Sequence, residues 1–263
     1  MSYIRLIPVA VIVAGAAQVS AAEDKPVAAS SPSPAVAVAD RVMHALGGAE
    51  AWNETRYLRF DFAVERGGKT LASRAHTWDK WTGRYRLEAK TKEGDPYTVL
   101  MNINTKEGSA WAKGKRLTGE EEKKYLEQGY ATWVNDTYWL LMPYKMRDPG
   151  VILALDGVEK KGNDAWDKVV LTFDGVGLTP QDKYWVYVNR ETGLVDKWEY
   201  ILKGGPGPAT PFLWKGWVRY GKILLAGDRV NPKDGTRIFF PVLEAPSTVP
   251  DATFTSPEPA PAK

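Results

Sequence analysis

From Arg56 onward the chain repeats one local device: a short run in which apolar and polar residues alternate, closed by a glycine or proline turn. Period-two alternation puts one set of side chains on each face of an extended strand. Turns between such runs make neighbouring strands antiparallel. Leu58, Phe60, Phe62 and Val64 share one face of the first run, with Arg59, Asp61 and Glu65 on the other. Gly67-Gly68 marks a hairpin, Thr70 to Trp81 returns, and Thr82-Gly83 turns the chain again. Arg84 to Thr91 then sets Tyr85, Leu87 and Ala89 opposite Arg86, Glu88 and Lys90, giving one apolar and one wet face. Strands follow near Tyr97–Ile103 and Ser109–Lys113. Past Pro149-Gly150 they resume at Val151–Leu155, Lys168–Phe173, Lys183–Asn189, Leu194–Leu202, Leu213–Tyr220, Ile223–Val230 and Thr236–Pro241.

Three segments break this period. Ala39 to Leu46 has the helical spacing of Val42, Met43 and Leu46 and stops at Gly47-Gly48. Thr118-Gly-Glu-Glu121 fits a capping box and predicts a helix through Val134. Asp136 to Met142 reads as a second, separate helix, apolar nearly all round and ended by Pro143, so it is expected to be buried against something large. The expected fold is mainly β (α+β): a strongly curved antiparallel half-barrel of about a dozen strands enclosing two or three helices.

The ends of the chain differ from its middle. Arg5 precedes a short apolar run, Leu6 to Ala17, and small residues before Ala21 and Ala22 suit cleavage after either. That run is too short to span a bilayer, which takes about 20 residues. Residues 1–22 therefore read as a secretory signal peptide and the mature protein as periplasmic, with no integral membrane span after cleavage. Residues 23–38 form an Ala/Pro/Ser-rich linker, 39–243 the half-barrel domain, and 244–263 a proline-rich C-terminal tail.

Composition narrows the chemistry. There is no cysteine, which removes disulfides, thiolate metal sites and thiol nucleophiles, and two histidines cannot build a His-rich metal site. Both histidines, His44 and His76, are expected in surface or half-packed structural roles. Lys and Arg total 35 against 32 Asp and Glu, too even a balance for a nucleic-acid binder. The G-x-S-x-G elbow is absent. Lys203 to Pro208 is glycine-rich but lacks the Lys-Ser/Thr and helix of a phosphate cradle. The acidic run Glu120 to Glu122 reads as a charged helix start. No cofactor and no catalytic step are expected, and a glycan hydrolase has only acid–aromatic neighbours such as Trp78-Asp79 to speak for it.

The aromatic residues carry the positive signal: 11 Trp and 12 Tyr against 7 Phe. These large rings serve either as core between sheet and helices or as the lining of an apolar cavity for an acyl chain. The candidate ligand-binding residues are Trp111, Trp139, Leu140, Met142, Trp185, Trp198, Trp214 and Trp217.

Two stretches carry a family resemblance. HALGGAEAW (His44–Trp52) followed by TRYLRFDF (Thr55–Phe62) resembles the opening of the LolA/LolB-like half-barrel superfamily, and DTYWLLMPYKMRDPGV (Asp136–Val151) is similar to the central helix segment of secreted members. The resemblance covers most of the domain in element order. It implies a curved sheet wrapped around helices, a periplasmic home, and a hydrophobic ligand (a lipid or lipoprotein acyl chain) in the concave cavity. Related half-barrels act as envelope sensors, so binding of an envelope protein partner is the alternative. The carriers' functional arginine has no counterpart that the motifs assign.

Overall fold

Each alternating run becomes a strand, and consecutive strands pair. The computed structural model describes residues 33–258, so the segment read as a signal peptide lies outside the described residues. The described residues open with helices α1 (Pro34–Ala45) and α2 (Gly48–Glu54). A first meander follows: β1 (Tyr57–Arg66), β2 (Lys69–Asp79), β3 (Arg84–Lys90), β4 (Pro96–Asn102), β5 (Gly108–Ala112) and β6 (Lys115–Arg116). Helix α3 (Gly119–Leu141) and a 3-10 turn at Met142–Lys145 lead into the second meander. That comprises β7 (Val151–Lys161), β8 (Asp164–Phe173), β9 (Lys183–Asn189), β10 (Val195–Ile201), β11 (Thr210–Tyr220), β12 (Ile223–Val230) and β13 (Arg237–Phe239). Strand β14 (Leu243–Glu244) and helix α4 (Ala252–Thr255) are the last elements among the described residues.

All 14 strands belong to one antiparallel sheet, curved but not closed, in the order β6-β5-β4-β3-β2-β1-β13-β12-β11-β10-β9-β8-β7, with β14 on β1. The two meanders meet where β1 pairs β13, with Ala63 opposite Phe239. Consequently β6 and β7, adjacent along the chain, form opposite edges of the sheet. Only a long element can join them. The 23 residues of α3 span about 35 Å at 1.5 Å per residue, and the helix packs on the inner face between the two edges.

The inner face holds two apolar clusters, one at each end of α3. Tyr85, Leu87, Val99 and Met101 pack under Tyr125, Leu126, Tyr130 and Trp133 of its first half. Phe60, Phe62, Val186, Trp198, Phe212, Trp214 and Leu225 pack with α1 and with Leu140, Leu141 and Met142 at its end. The alternation read in β1 is realised, since Leu58, Phe60, Phe62 and Val64 are all buried.

Four local expectations change. Helix α1 starts at Pro34, inside the stretch read as linker: Ser33 accepts from Val36 N at 3.4 Å, and Ala35, Val38, Ala39 and Val42 form a buried stripe. The two expected central helices are one. Asp136 sits in its interior without breaking it because Arg74 and His76 engage the carboxylate, leaving it no reason to compete for backbone. Thr118 takes the N-cap position, but its side chain makes no capping bond.

The fourth change concerns the wet face. Arg86, placed there by alternation, is buried. The C-terminal segment lies over it, and its guanidinium donates to the carbonyls of Thr253 (3.2 Å), Ser256 (2.7 Å) and Glu258. Phe254 stacks on Tyr57 at 6.4 Å, and Arg84 pairs with Asp251. The segment beyond Leu243 thus packs on the outer face as far as Glu258. Extended, proline-rich sequence hides such docking, because its contacts run through main-chain carbonyls.

Candidate functional site: the inner face beneath the long helix

Strands β9 to β12 turn an aromatic surface toward the last turns of α3. Trp198 on β10 is its centre, 1% exposed. The Trp139 ring meets it edge-on at 4.7 Å and Phe212 at 4.9 Å, while Tyr184 and Trp214 lie 5.2 Å and 5.3 Å from Trp198. Edge-to-face pairs at these separations add about 0.5–1.5 kcal/mol each beyond area burial. Gly216, with φ of +70°, interrupts the alternation of β11, and the rings of Trp214 and Trp217 stack at 6.0 Å on its two sides.

Six of the eight candidate residues therefore come together: Trp139, Leu140, Met142, Trp198, Trp214 and Trp217 belong to or pack against one cluster. Two stand apart. Trp185 lies between Tyr184 and Val186, which point inward, so its ring faces outward under Lys183 Nζ at 4.6 Å. Trp111 lies between the inward Ala110 and Ala112, and its ring sits under Arg116 at 5.7 Å near the β6 edge. Strand parity, applied to each residue singly, separates both from the rest.

Arg229 was not among the sequence candidates. It lies on β12 opposite Trp214 and is wholly buried. Its guanidinium stacks over Trp214 at 3.9 Å and Phe240 at 4.9 Å. Nη1 donates to the Ala226 carbonyl and Nη2 to that of Leu140 at 3.3 Å, in the last turn of α3. Burial pushes its pKa down to about 9, opposed only in part by the charge of Asp228. The available signal was parity: Arg229 shares the face of Ile223 and Leu225.

Between the two apolar clusters runs a buried polar tie. Arg74 grips Asp136 with Nε at 2.6 Å and Nη2 at 2.8 Å. His76 Nε2 stands 3.1 Å from Asp136 Oδ2, off the line of a strong hydrogen bond, and Nδ1 lies 2.7 Å from the Tyr85 hydroxyl. A neutral ring protonated on Nε2 accepts from the Tyr85 hydroxyl at Nδ1 and turns its N–H toward Asp136. Burial lowers the His76 pKa despite the neighbouring carboxylate. For Asp136, burial alone would act upward, but the Arg74 charge, the nearby His76 ring and the bonds from Arg74 outweigh it and hold the carboxyl below its usual range. His76 is fully enclosed and stacked on Phe60 at 4.4 Å, which corrects the expectation of a surface or half-packed ring. Tyr, His and Asp in a row suggest proton transfer, but all three are buried. Their geometry fastens α3 to β2 and β3. His44 is exposed on α1.

Among the described residues no three His, Asp or Glu side chains group as metal ligands, and no helix is long and apolar enough to cross a membrane. No family model matches the chain, and no curated protein matches it. Solved structures do align with it. A DUF1329 family protein from Desulfovibrio piger is 15% identical, covering 84% of this chain and 97% of that one, with a TM-score of 0.49. A LolA superfamily protein from Nitrosomonas europaea is 12% identical, covering 82% and 97%, with a TM-score of 0.45. The Mycobacterium tuberculosis lipoprotein LppX is 11% identical, covering 80% and 97%, with a TM-score of 0.31. The half-barrel itself stands on the strand order and register.

Proposed function

We propose that the protein binds a hydrophobic ligand, a lipid or acyl chain, between the end of α3 and the inner face of β9–β12, without a catalytic step. The observation that carries this reading is the aromatic surface around Trp198, which lies inside an open sheet rather than between two closed layers. Trp139, Leu140, Met142, Trp198, Trp214 and Trp217 would contact the chain, and α3 would cover it. Residues 1–22 would act as the export signal and deliver the protein to the periplasm. Binding of this kind draws on buried apolar area, about 25 cal/mol per Å², rather than on many polar contacts. Native mass spectrometry of the protein purified from the envelope of its own cells, with lipid analysis of an organic extract, tests it. A stoichiometric acyl species supports the reading.

One observation favours a second reading, a sensor or scaffold that holds an envelope protein. Strand β7 is a long free edge whose Ile152, Leu155 and Val158 are exposed, and such an edge accepts a further strand. A stable protein partner recovered without lipid, and lost when Ile152 becomes lysine, would favour it.

A further inference from the structure

The aromatic surface contains buried hydrogen-bond donors that no described residue satisfies. Three buried N–H groups, Trp198 Nε1, Trp214 Nε1 and Arg229 Nε, have no acceptor among the described residues. Trp214 touches both of the other side chains, its ring 5.3 Å from that of Trp198 and 3.9 Å from the Arg229 guanidinium. Buried polar groups are nearly always paired, and a buried charge normally has an opposite charge beside it. Arg229 has none. Asp228, next in the chain, spends both carboxylate oxygens on Arg237 at 2.9 Å and 3.0 Å.

A structural role accounts for part of this. The Leu140 carbonyl lies at the partly negative end of α3, and an arginine there is favourable. That explains Nη2. It leaves Nε, both indoles and the net charge without complement.

The missing complement is an acceptor-only group with a single negative charge. A carboxylate meets that description: two oxygens, no donor, one charge, and a shape that fits the edge of a guanidinium. A phosphate monoester brings close to two negative charges to one cation. An alcohol brings an acceptor without a charge. The walls beside the donors are apolar, formed by Trp139, Phe212, Phe240 and Leu140.

We propose that Arg229, with Trp214 and Trp198, forms the head-group site of the inner face, and that its ligand is a single-chain amphiphile ending in a carboxylate, a fatty acid. The proposal rests on the reading that this face takes an apolar chain and adds the chemical class of the ligand's polar end.

Calorimetric titration of the delipidated full chain at pH 8 with palmitate, hexadecanol and hexadecyl phosphate tests it. A charge-assisted hydrogen bond contributes about 1.5–3 kcal/mol, so palmitate should bind at least about tenfold tighter than hexadecanol. In Arg229→Met that preference should vanish. Trp214→Phe and Trp198→Phe keep an aromatic ring and remove the N–H, so each should weaken palmitate more than hexadecanol, which also serves if Arg229→Met fails to fold. Equal binding of acid and alcohol by the unaltered protein overturns the head-group site. A preference that survives Arg229→Met does the same, and tighter binding of hexadecyl phosphate overturns the carboxylate. Binding of none of the three overturns the apolar-ligand reading itself.

Discussion

Replacing Asp136 with asparagine tests whether α3 is fastened to the sheet by charge. The Asp136 side chain is wholly buried and that of Arg74 is 23% exposed. Asparagine keeps the volume, so the change opens no cavity and isolates the electrostatic loss. Removing one member of a buried ion pair costs about 3–5 kcal/mol, because the partner's charge is left in a poorly solvated place. Arg74 retains some access to water, which puts the expected loss at the low end, about 3 kcal/mol. For a domain of this size each kcal/mol moves Tm by roughly 2–4 °C, so the variant should melt roughly 6–12 °C lower. Urea unfolding followed by circular dichroism, with m-values compared, measures the loss. Arg74→Met added to Asp136→Asn removes the stranded cation and should recover at least half of it. A single-variant loss below about 1 kcal/mol, or a double variant as unstable as the two singles summed, would refute the tie.

Other consequences concern packing and protonation. Gly129 brings α3 against Val99, where an added Cβ would lie 3.0 Å from Cγ1, so Gly129→Leu should cost about 1–3 kcal/mol in urea unfolding while keeping the helix content. His76 is held below its ordinary value, so its contribution to stability is complete above the unfolded imidazole value near 6.5 and is lost as pH falls through the folded one. Asp136, also lowered, adds a second loss below the unfolded carboxyl value near 3.9. Urea midpoints should therefore fall from pH 7 to pH 5, and His76→Phe should flatten that portion. Arg86→Met strips the C-terminal segment of its carbonyl partners, and hydrogen exchange over residues 251–258 should rise about tenfold or more, at 0.5–1.5 kcal/mol per bond lost.

The strands were legible because period-two patterning survives in sequence. Phe60, Phe62, Tyr85 and Leu87 declare their face without tertiary information. What required the fold were contacts between distant residues. Asp136 looks like a helix break until Arg74, far off in sequence on β2, is placed beside it. Arg86 looks solvated until the chain end returns over it. The aromatic count pointed to the inner face, but composition has no direction. Only the parity of Trp185 and Trp111 separates outward rings from inward ones, and only the position of Arg229 beneath Leu140 shows a polar centre within them.

Tryptophan fluorescence during titration with 9,10-dibromostearate tests the central claim most directly, since bromine quenches an indole only on near contact. A bound chain on the inner face should quench the unaltered protein saturably, and Trp139→Phe with Trp198→Phe should remove most of that quenching while near-ultraviolet circular dichroism still reports a folded chain. Absence of saturable quenching, or quenching that survives in the double variant and disappears with exposed Trp81 instead, would contradict it.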